Sequence, residues 1–192
     1  MSVVKVKSSC VFCGGSRSKK YMMNGYNLMY CHKCKTLGVD NPPSDQEICE
    51  FYDGFNFQTS ISNYKKVNQP FMKKWMQGLV GYGDQYKMLD VGGGGGFFAK
   101  AFEEFGMGES TYIDLDKQAC EFAKDDMKLD RVILDRVENL NDHVGQQKFD
   151  FIYCRHVVEH LKDRTDLIKA CANLLTPGGV FLLQCPNGQS KE

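Results

Sequence analysis

The stretch YKMLDVGGGGGFFAKAF, residues 86–102, joins a short apolar run to a helical pattern through five consecutive glycines. The apolar run ends in Asp90 and Val91 and has the length and composition of a buried strand. After the glycines, Phe98 and Phe102 recur at helical spacing on one face of a predicted helix. The stretch therefore predicts a strand, a glycine-rich turn and a helix, with the backbone of the turn open to close approach by a ligand.

Four more apolar runs follow along the chain, and helical patterns separate them. The predicted strands after residue 91 are 110–116, 131–135, 149–154 and 180–185. Continuous apolar strands that alternate with helices are typical of an α/β protein with a doubly wound, Rossmann-like parallel sheet covered on both faces. In such a sheet the ligand lies at the carboxyl ends of the strands.

The glycine run fits two kinds of ligand. Gly94, Gly96 and Ala99 satisfy a dinucleotide fingerprint, and Asp114 follows twenty residues after the first of them. Asp90 argues against a dinucleotide, because a carboxylate about 5 Å from a pyrophosphate costs a few kcal/mol at an effective dielectric of about 20. A phosphate-free ligand with an amino group, such as S-adenosylmethionine (SAM), is favoured at that position instead. Asp114 can accept hydrogen bonds from both of its ribose hydroxyls.

Two cysteine pairs near the N-terminus have the spacing of a metal site. Cys10 and Cys13 form the first pair, and Cys31 and Cys34 form the second after an interval of seventeen residues. The pairs predict a structural Zn²⁺ site with four cysteine ligands in a zinc ribbon, with an Asn-Gly hairpin turn between the pairs. The alternative is four buried free cysteines. So short a segment cannot bury a core alone, and metal would supply its folding energy.

Charge is distributed unevenly along the chain. Residues 1–39 carry seven basic residues and no acid, although the net charge of the whole chain is zero. The zero total argues against a general nucleic-acid binder. The basic segment is either a cap or docking module, or a surface for an anionic partner. We divide the chain into a zinc ribbon at 1–43, a helical linker or cap at 44–83 and a core domain at 84–192.

The cap and the bulk composition give two further expectations. Phe71, Trp75 and Leu79 recur every four residues and are expected to pack on the core domain. No run of about 18 apolar residues is present, and the N-terminus lacks the apolar region of a secretory signal peptide. Together with nine cysteines, these features predict a reducing, cytoplasmic setting without membrane insertion.

Several segments together resemble one enzyme family. The class I SAM-dependent methyltransferases have successive motifs that are similar, in order and spacing, to LDVGGGGGFFAKAF, YIDLD, FDFIYCRHVVEHLKD and LLTPGGVFLLQCPN. The subgroup in which a four-cysteine zinc ribbon precedes the methyltransferase domain resembles CVFCGG, YCHKCKTLGVDNPPS and EFYDGFNF. The resemblance covers nearly the whole chain and implies SAM and Zn²⁺ as cofactors.

The resemblance also implies site residues. In the family, glycines of the turn hold the cofactor, the acid after the second strand binds the ribose, and an acid after the third strand contacts the adenine. Backbone carbonyls after the fourth strand meet the methionine end. With the electrostatic argument added, the cofactor-binding residues predicted for this chain are Asp90, Gly92, Gly94, Gly96, Asp114, Leu115, Asp135, Cys154 and Arg155. Asp116 is expected to cap the helix that follows the second strand.

Residues 156–161, HVVEHL, contain H-x-x-E-H, which is also a pattern of zinc peptidases. A peptidase needs both histidines one helical turn apart and a third metal ligand, and no third ligand can be placed near them from the sequence. The position directly after the fourth strand instead resembles the methyltransferase family. Glu159 and His160 are then local hydrogen-bonding residues. His156 is the candidate catalytic base, with a structural histidine as the alternative.

Class I methyltransferases usually have seven strands, and five are predicted here, with the last two missing. The fifth strand is therefore expected to have an unpaired apolar edge. Either the chain is a fragment, or a partner or a second copy covers that edge. Three functions remain open. The favoured one is a methyltransferase for a small molecule, such as a sugar or a biosynthetic intermediate. The others are an RNA or protein methyltransferase that docks through the basic ribbon, and a non-catalytic module that binds a cofactor or a partner.

Overall fold

The computed structural model describes residues 9–40, 42–44, 46–48, 50, 61–161 and 164–186. These residues divide into two compact units, one before residue 52 and one from residue 52 to residue 186. The domain boundaries predicted at 43/44 and 83/84 stay predictions. None of the helices in the described ranges is long and apolar enough to cross a bilayer.

The first unit is a small antiparallel sheet. Its strands β1 (Arg17–Met23), β2 (Tyr26–Cys31) and β3 (Leu37–Val39) lie in the order β1-β2-β3. Asn24 and Gly25 connect the first two strands with φ angles of 51° and 81°. Positive φ at both positions is the geometry of a two-residue type I′ turn, which matches the right-handed twist of the strands. The predicted hairpin is confirmed.

The second unit alternates strands and helices after two leading helices. Its elements are α1 (Ile61–Val67), α2 (Pro70–Val80), β4 (Tyr86–Val91), α3 (Phe97–Glu104), β5 (Gly108–Asp114), α4 (Lys117–Asp125), β6 (Val132–Leu134), a 3-10 turn (Val137–Asn139), α5 (Leu140–Val144), β7 (Phe149–Arg155), a 3-10 turn (Val158–His160), α6 (Arg164–Leu174) and β8 (Leu175–Gln184). The five strands are parallel and lie in the order β6-β5-β4-β7-β8. The winding reverses between β4 and β7, and ligands of such sheets bind at that switch point. The predicted Rossmann-like parallel sheet is confirmed.

Alternation along β4 directs its side chains to two faces of the sheet. Leu89 joins an apolar cluster with residues of β7 and α6, whereas Met88 joins a cluster with residues of α2 and α3. Asp90 shares the face of Met88, because side chains two residues apart in a strand point the same way. The strand register places Asp90 between Tyr112 of β5 and Tyr153 of β7. A buried carboxylate therefore lies between two tyrosines.

The buried face of α2 differs from the predicted one. Met76 is fully buried, and Met72 and Leu79 pack against the same cluster. Phe71 is 63% exposed and lies outside this cluster, whereas Trp75 is 39% exposed and contacts the core through its ring, which lies edge-on to Tyr153. The helix carries two overlapping apolar stripes, and the methionines fit the space above β4 and β7.

Strand β8 begins earlier than the sequence predicts. Residues 176–179, TPGG, are expected to separate helix from strand, but β8 already begins at Leu175. Leu175 pairs with Phe149 and Val180 pairs with Phe151, so TPGG bulges out of the ladder. Its proline has no N–H for the ladder, and its first glycine adopts a φ angle of 83°.

The outer edge of β8 has no strand partner among the described residues. Leu183, near the end of this strand, is 37% exposed. Coverage of this edge by a partner or by a second copy stays a prediction.

Candidate functional site

The glycine turn between β4 and α3 has a backbone that other residues adopt poorly. Gly92, Gly94 and Gly96 have φ angles of 66°, 54° and 69°. A Cβ atom on Gly92 would also overlap Cγ2 of Val157, so a larger residue there would force the valine side chain to move. The three glycines predicted to hold a cofactor are thus the three with positive φ in the turn.

Two side chains of β5 hold the peptide groups of Gly94. Oδ2 of Asp114 accepts a hydrogen bond from Gly94 N at 2.8 Å. The hydroxyl of Tyr112 donates to Gly94 O at 2.5 Å, and the tyrosine is fully buried. Tyr112 was not among the residues predicted from the sequence. The available signal was a tyrosine in a strand predicted to be covered on both faces, since a buried phenol needs a hydrogen-bond partner.

Replacing Tyr112 by Phe is expected to weaken binding of the site's ligand about five-fold, because the loss of a hydrogen bond of about 1 kcal/mol releases the Gly94 carbonyl. Isothermal titration with SAM would measure this change. Tyr86→Phe, at the opposite end of β4, is the matched control and should leave the affinity unchanged. Equal affinities for Tyr112→Phe and the wild-type chain would contradict a positioning role.

Asp114 lies at the carboxyl end of β5 and is only 7% exposed. Its Oδ1 accepts a hydrogen bond from Asp116 N at 2.9 Å, and burial raises the pKa of its carboxyl group. Leu115 follows directly in the connection to α4. Oδ1 of Asp116 accepts from Ala119 N at 2.7 Å, which confirms the predicted helix cap. The carboxylate of Asp114 thus ties the glycine turn to the start of α4.

Asp90 is 2% exposed, and its carboxylate points toward the glycine turn. Its Oδ2 accepts a hydrogen bond from Ala99 N, in the first turn of α3, at 3.3 Å. Burial raises the pKa of Asp90 to about 7. The carboxyl group therefore lies beneath the turn, and above a pH of about 7 its negative charge acts on a ligand above the loop through the intervening backbone.

Asp90→Asn is expected to change how stability depends on pH. The folded state holds a proton on Asp90 up to a pH of about 7, whereas the unfolded chain releases it near the ordinary value of 3.8. The wild-type chain should therefore lose stability relative to the variant as the pH rises from 4 to 8, by on the order of 3 kcal/mol. Urea unfolding followed by fluorescence of Trp75 at several pH values would measure this difference. Parallel pH profiles for the two proteins would contradict it.

Asp135 lies beside Asp114 at the same edge of the sheet, with Asp135 N donating to Asp114 O at 3.0 Å. Nε2 of His143 is 2.7 Å from its Oδ2, and the amide of Asn139 donates to its Oδ1 at 2.9 Å. The hydrogen bond with His143 is the main reason why the pKa of Asp135 is lowered. Asp90 and Asp114 lie at the carboxyl ends of β4 and β5, and Asp135 comes directly after β6. The three adjacent strands thus each have a carboxylate at the same edge of the sheet, as the sequence predicted. The contact with His143 was not foreseen.

The predicted residues after β7 take different positions. The thiol of Cys154 is fully buried in the core, and burial raises its pKa to about 12. Only the backbone of Cys154 can reach a ligand. The guanidinium of Arg155 lies 5.9 Å from the ring centroid of Phe98. At this edge of the sheet the side chain of Arg155 is therefore exposed to a ligand, whereas the side chain of Cys154 is not.

His156 has a left-handed backbone with a φ angle of 55° and an exposed side chain. Its Nδ1 lies 3.3 Å from Oε1 of Glu159. Residues 158–160 form a 3-10 turn, so His156 and His160 do not lie one α-helical turn apart as a zinc peptidase requires. The carboxylate of Glu159 thus contacts the ring of His156 and orients it.

The four cysteines of the N-terminal unit converge. The Sγ atoms of Cys10, Cys13, Cys31 and Cys34 all lie within 4.8 Å of one another. The Sγ atoms are 3.6 Å apart for Cys10 and Cys34 and 3.5 Å apart for Cys13 and Cys31. A tetrahedral Zn²⁺ with bonds of about 2.3 Å separates its sulfur ligands by roughly 3.8 Å. The cluster therefore fits the predicted metal.

The part of the chain that carries the glycine turn is similar in sequence to known methyltransferases. A family model for a methyltransferase domain matches residues 89–183. A ubiquinone biosynthesis O-methyltransferase of Xanthomonas campestris pv. campestris (strain B100) is 36% identical over 104 residues, which are 53% of this chain and 43% of the relative. A Bordetella avium (strain 197N) protein of the same name is 30% identical over 137 residues, 68% and 56% of the two chains. The chain spans about half the length of these curated relatives.

Comparisons of structure agree on the fold. A SAM dependent methyltransferase from Archaeoglobus fulgidus aligns with a TM-score of 0.54 at 19% identity, over 77% of this chain and 61% of that protein. The PH0226 protein from Pyrococcus horikoshii OT3 aligns with a TM-score of 0.53 at 20% identity, over 69% and 63%. Residues 89–183 therefore match a methyltransferase domain in sequence, and their parallel sheet has the same fold as the SAM dependent methyltransferase from Archaeoglobus fulgidus.

Proposed function

We propose that this protein transfers the methyl group of SAM to a small molecule, such as a sugar or a biosynthetic intermediate. The observation that carries the proposal is the pairing of Asp114 with the glycine turn, 2.8 Å from Gly94 N, above a buried Asp90. An acid at that position accepts ribose hydroxyls, while the buried carboxylate opposes a pyrophosphate and favours a cation. The names of the curated relatives add support for an oxygen acceptor.

The proposed cofactor site follows the carboxyl ends of the strands. The ribose lies at Asp114 and Leu115, the adenine lies near Asp135, and the methionine end lies above the glycine turn and the backbone of Cys154. The hydrogen bond from Gly94 N already occupies one oxygen of Asp114, so a bound ribose shares or displaces it.

Bound SAM supplies a methyl group that moves from sulfur to the acceptor in one displacement, so the sulfonium becomes a neutral thioether. The chain has to align the acceptor and exclude water. For a hydroxyl acceptor, the proton that leaves the oxygen passes to a base, and His156 is our candidate. Its contact with Glu159 at 3.3 Å supports this role, since that contact fixes the orientation of the ring.

We also propose that Cys10, Cys13, Cys31 and Cys34 hold one structural Zn²⁺. The convergence of the four sulfurs within 4.8 Å supports this assignment. All four positions are then filled by protein ligands, as in structural and not catalytic zinc sites.

A second candidate function is methylation of RNA or protein, with the N-terminal unit as the docking module. Its support is a basic and aromatic group on the ribbon, where Lys20 Nζ and Lys35 Nζ lie 5.5 Å and 6.0 Å from the ring centroid of Tyr30. Steep salt dependence of RNA binding would favour this candidate over a small-molecule acceptor.

Isothermal titration with SAM, S-adenosylhomocysteine and NAD tests the proposed cofactor. We expect saturable binding of the first two ligands and none of NAD. Binding of NAD in preference to SAM would overturn the electrostatic argument. Absence of binding for all three would leave the chain a non-catalytic module.

A further inference from the structure

Aromatic side chains and one cation gather at the carboxyl ends of β7 and β8. The rings of Phe98 and Tyr153 lie 4.6 Å apart between centroids, and the ring of Trp75 lies edge-on to Tyr153 at 6.3 Å. The guanidinium of Arg155 lies 5.9 Å from the centroid of Phe98. We call these four residues, Trp75, Phe98, Tyr153 and Arg155, the aromatic–arginine cluster.

The aromatic–arginine cluster adjoins the proposed cofactor site on the side away from the ribose. Tyr153 is in register with Asp90 on the adjacent strand, and Phe98 belongs to the first turn of the helix that begins at the glycine turn. Asp114 lies on β5, on the other side of β4 from β7. The cluster is therefore next to the position of the methyl group and not next to the adenosine.

The exposure of the cluster is not what packing alone would produce. Trp75 remains 39% exposed, and Phe71, one helical turn before it, is 63% exposed. Arg155 is exposed and has no acidic partner within the described part of the chain. The exposed indole of Trp75 and the exposed guanidinium of Arg155, beside the rings of Phe98 and Tyr153, form a surface that suits a flat ring and a negative charge.

We propose that the aromatic–arginine cluster recognises the methyl acceptor, and that the acceptor is an aromatic ring that carries a carboxylate. This inference rests on the proposed methyltransferase function and names the substrate class of the same site. The ring packs against Trp75, and the carboxylate pairs with the guanidinium of Arg155.

Fluorescence provides a direct test, because Trp75 is the single tryptophan of the chain. With S-adenosylhomocysteine bound, we would titrate 3,4-dihydroxybenzoate and catechol, which is the same ring without the carboxylate. Saturable quenching by 3,4-dihydroxybenzoate is expected. Arg155→Gln should weaken that binding at least ten-fold and change the affinity for catechol less than two-fold. The reason is that only 3,4-dihydroxybenzoate has a carboxylate that can pair with the guanidinium.

Arg131→Gln is the matched control, since Arg131 is an exposed cation just before β6, at the amino end of the sheet, and should change neither affinity. Trp75→Leu, followed by calorimetry, should weaken both probes through the lost ring contact. Failure of both probes to bind while S-adenosylhomocysteine binds would overturn the acceptor assignment and leave the methyltransferase proposal intact. Equal losses of both probes in Arg155→Gln would overturn recognition of a carboxylate. Failure of S-adenosylhomocysteine itself to bind would instead count against the proposed function.

Discussion

Replacing Cys31 by Ser is expected to abolish zinc binding and to unfold the N-terminal unit, while the parallel sheet stays folded. The reason is that this unit has almost no apolar core. Among its described residues, the buried side chains are Cys10, Met29 and Cys31, and two of these three are proposed metal ligands. Structural zinc contributes about 10–16 kcal/mol in small zinc-finger peptides, far more than one buried methionine.

Two measurements on the purified chain check this expectation. Elemental analysis should give one zinc per wild-type chain and close to none for Cys31→Ser. Amide signals of residues 9–40 should lose their dispersion in a two-dimensional NMR spectrum, whereas those of 86–184 keep it. Cys185→Ser removes an exposed cysteine outside the cluster and should change neither result. A wild-type chain that is folded throughout without zinc would support four free cysteines instead.

The features that the sequence predicted correctly depend on local patterns. Paired cysteines, an Asn-Gly turn and five glycines after an apolar run each restrict the backbone within a few residues. The order of strands and helices then determines which strand ends share an edge, because parallel strands align their carboxyl ends. Asp90, Asp114 and Asp135 could therefore be placed together without knowledge of any side-chain contact.

The features that the sequence did not predict depend on contacts between distant segments. Tyr112 holds Gly94, eighteen residues earlier, and His143 pairs with Asp135 from a separate helix. Neither contact leaves a periodic pattern. The exposure of Trp75 was missed for a related reason, since two apolar stripes share one helix and only the shape of the sheet surface selects between them.

Replacing Asp114 by Asn is expected to weaken binding of SAM at least 30-fold. The carboxylate can accept both ribose hydroxyls, and each charge-assisted hydrogen bond contributes about 1.5–3 kcal/mol. Asn offers one acceptor oxygen in place of two and presents an NH2 group to the other donor. Isothermal titration would measure the loss, and thermal unfolding would show that the variant is folded.

Asp116→Asn is the matched control for that measurement. Asp116 is a buried carboxylate two residues away, and Asn caps a helix about as well as Asp does. Its affinity for SAM should stay within about two-fold of wild type, because the cap is retained and only charge is removed. Equal losses in the two variants would therefore mean that Asp114 acts through charge or folding and not through contact.

Comparison of SAM with S-adenosylhomocysteine separates the two ways in which Asp114 could act on the ligand. Both molecules carry the same ribose, but only SAM has the sulfonium charge. A contact with the ribose predicts that Asp114→Asn weakens both ligands by the same factor. A long-range attraction for the sulfonium predicts a larger loss for SAM. Since the carboxylate of Asp114 is held against the glycine turn at 2.8 Å, beside the proposed ribose position, we expect equal factors.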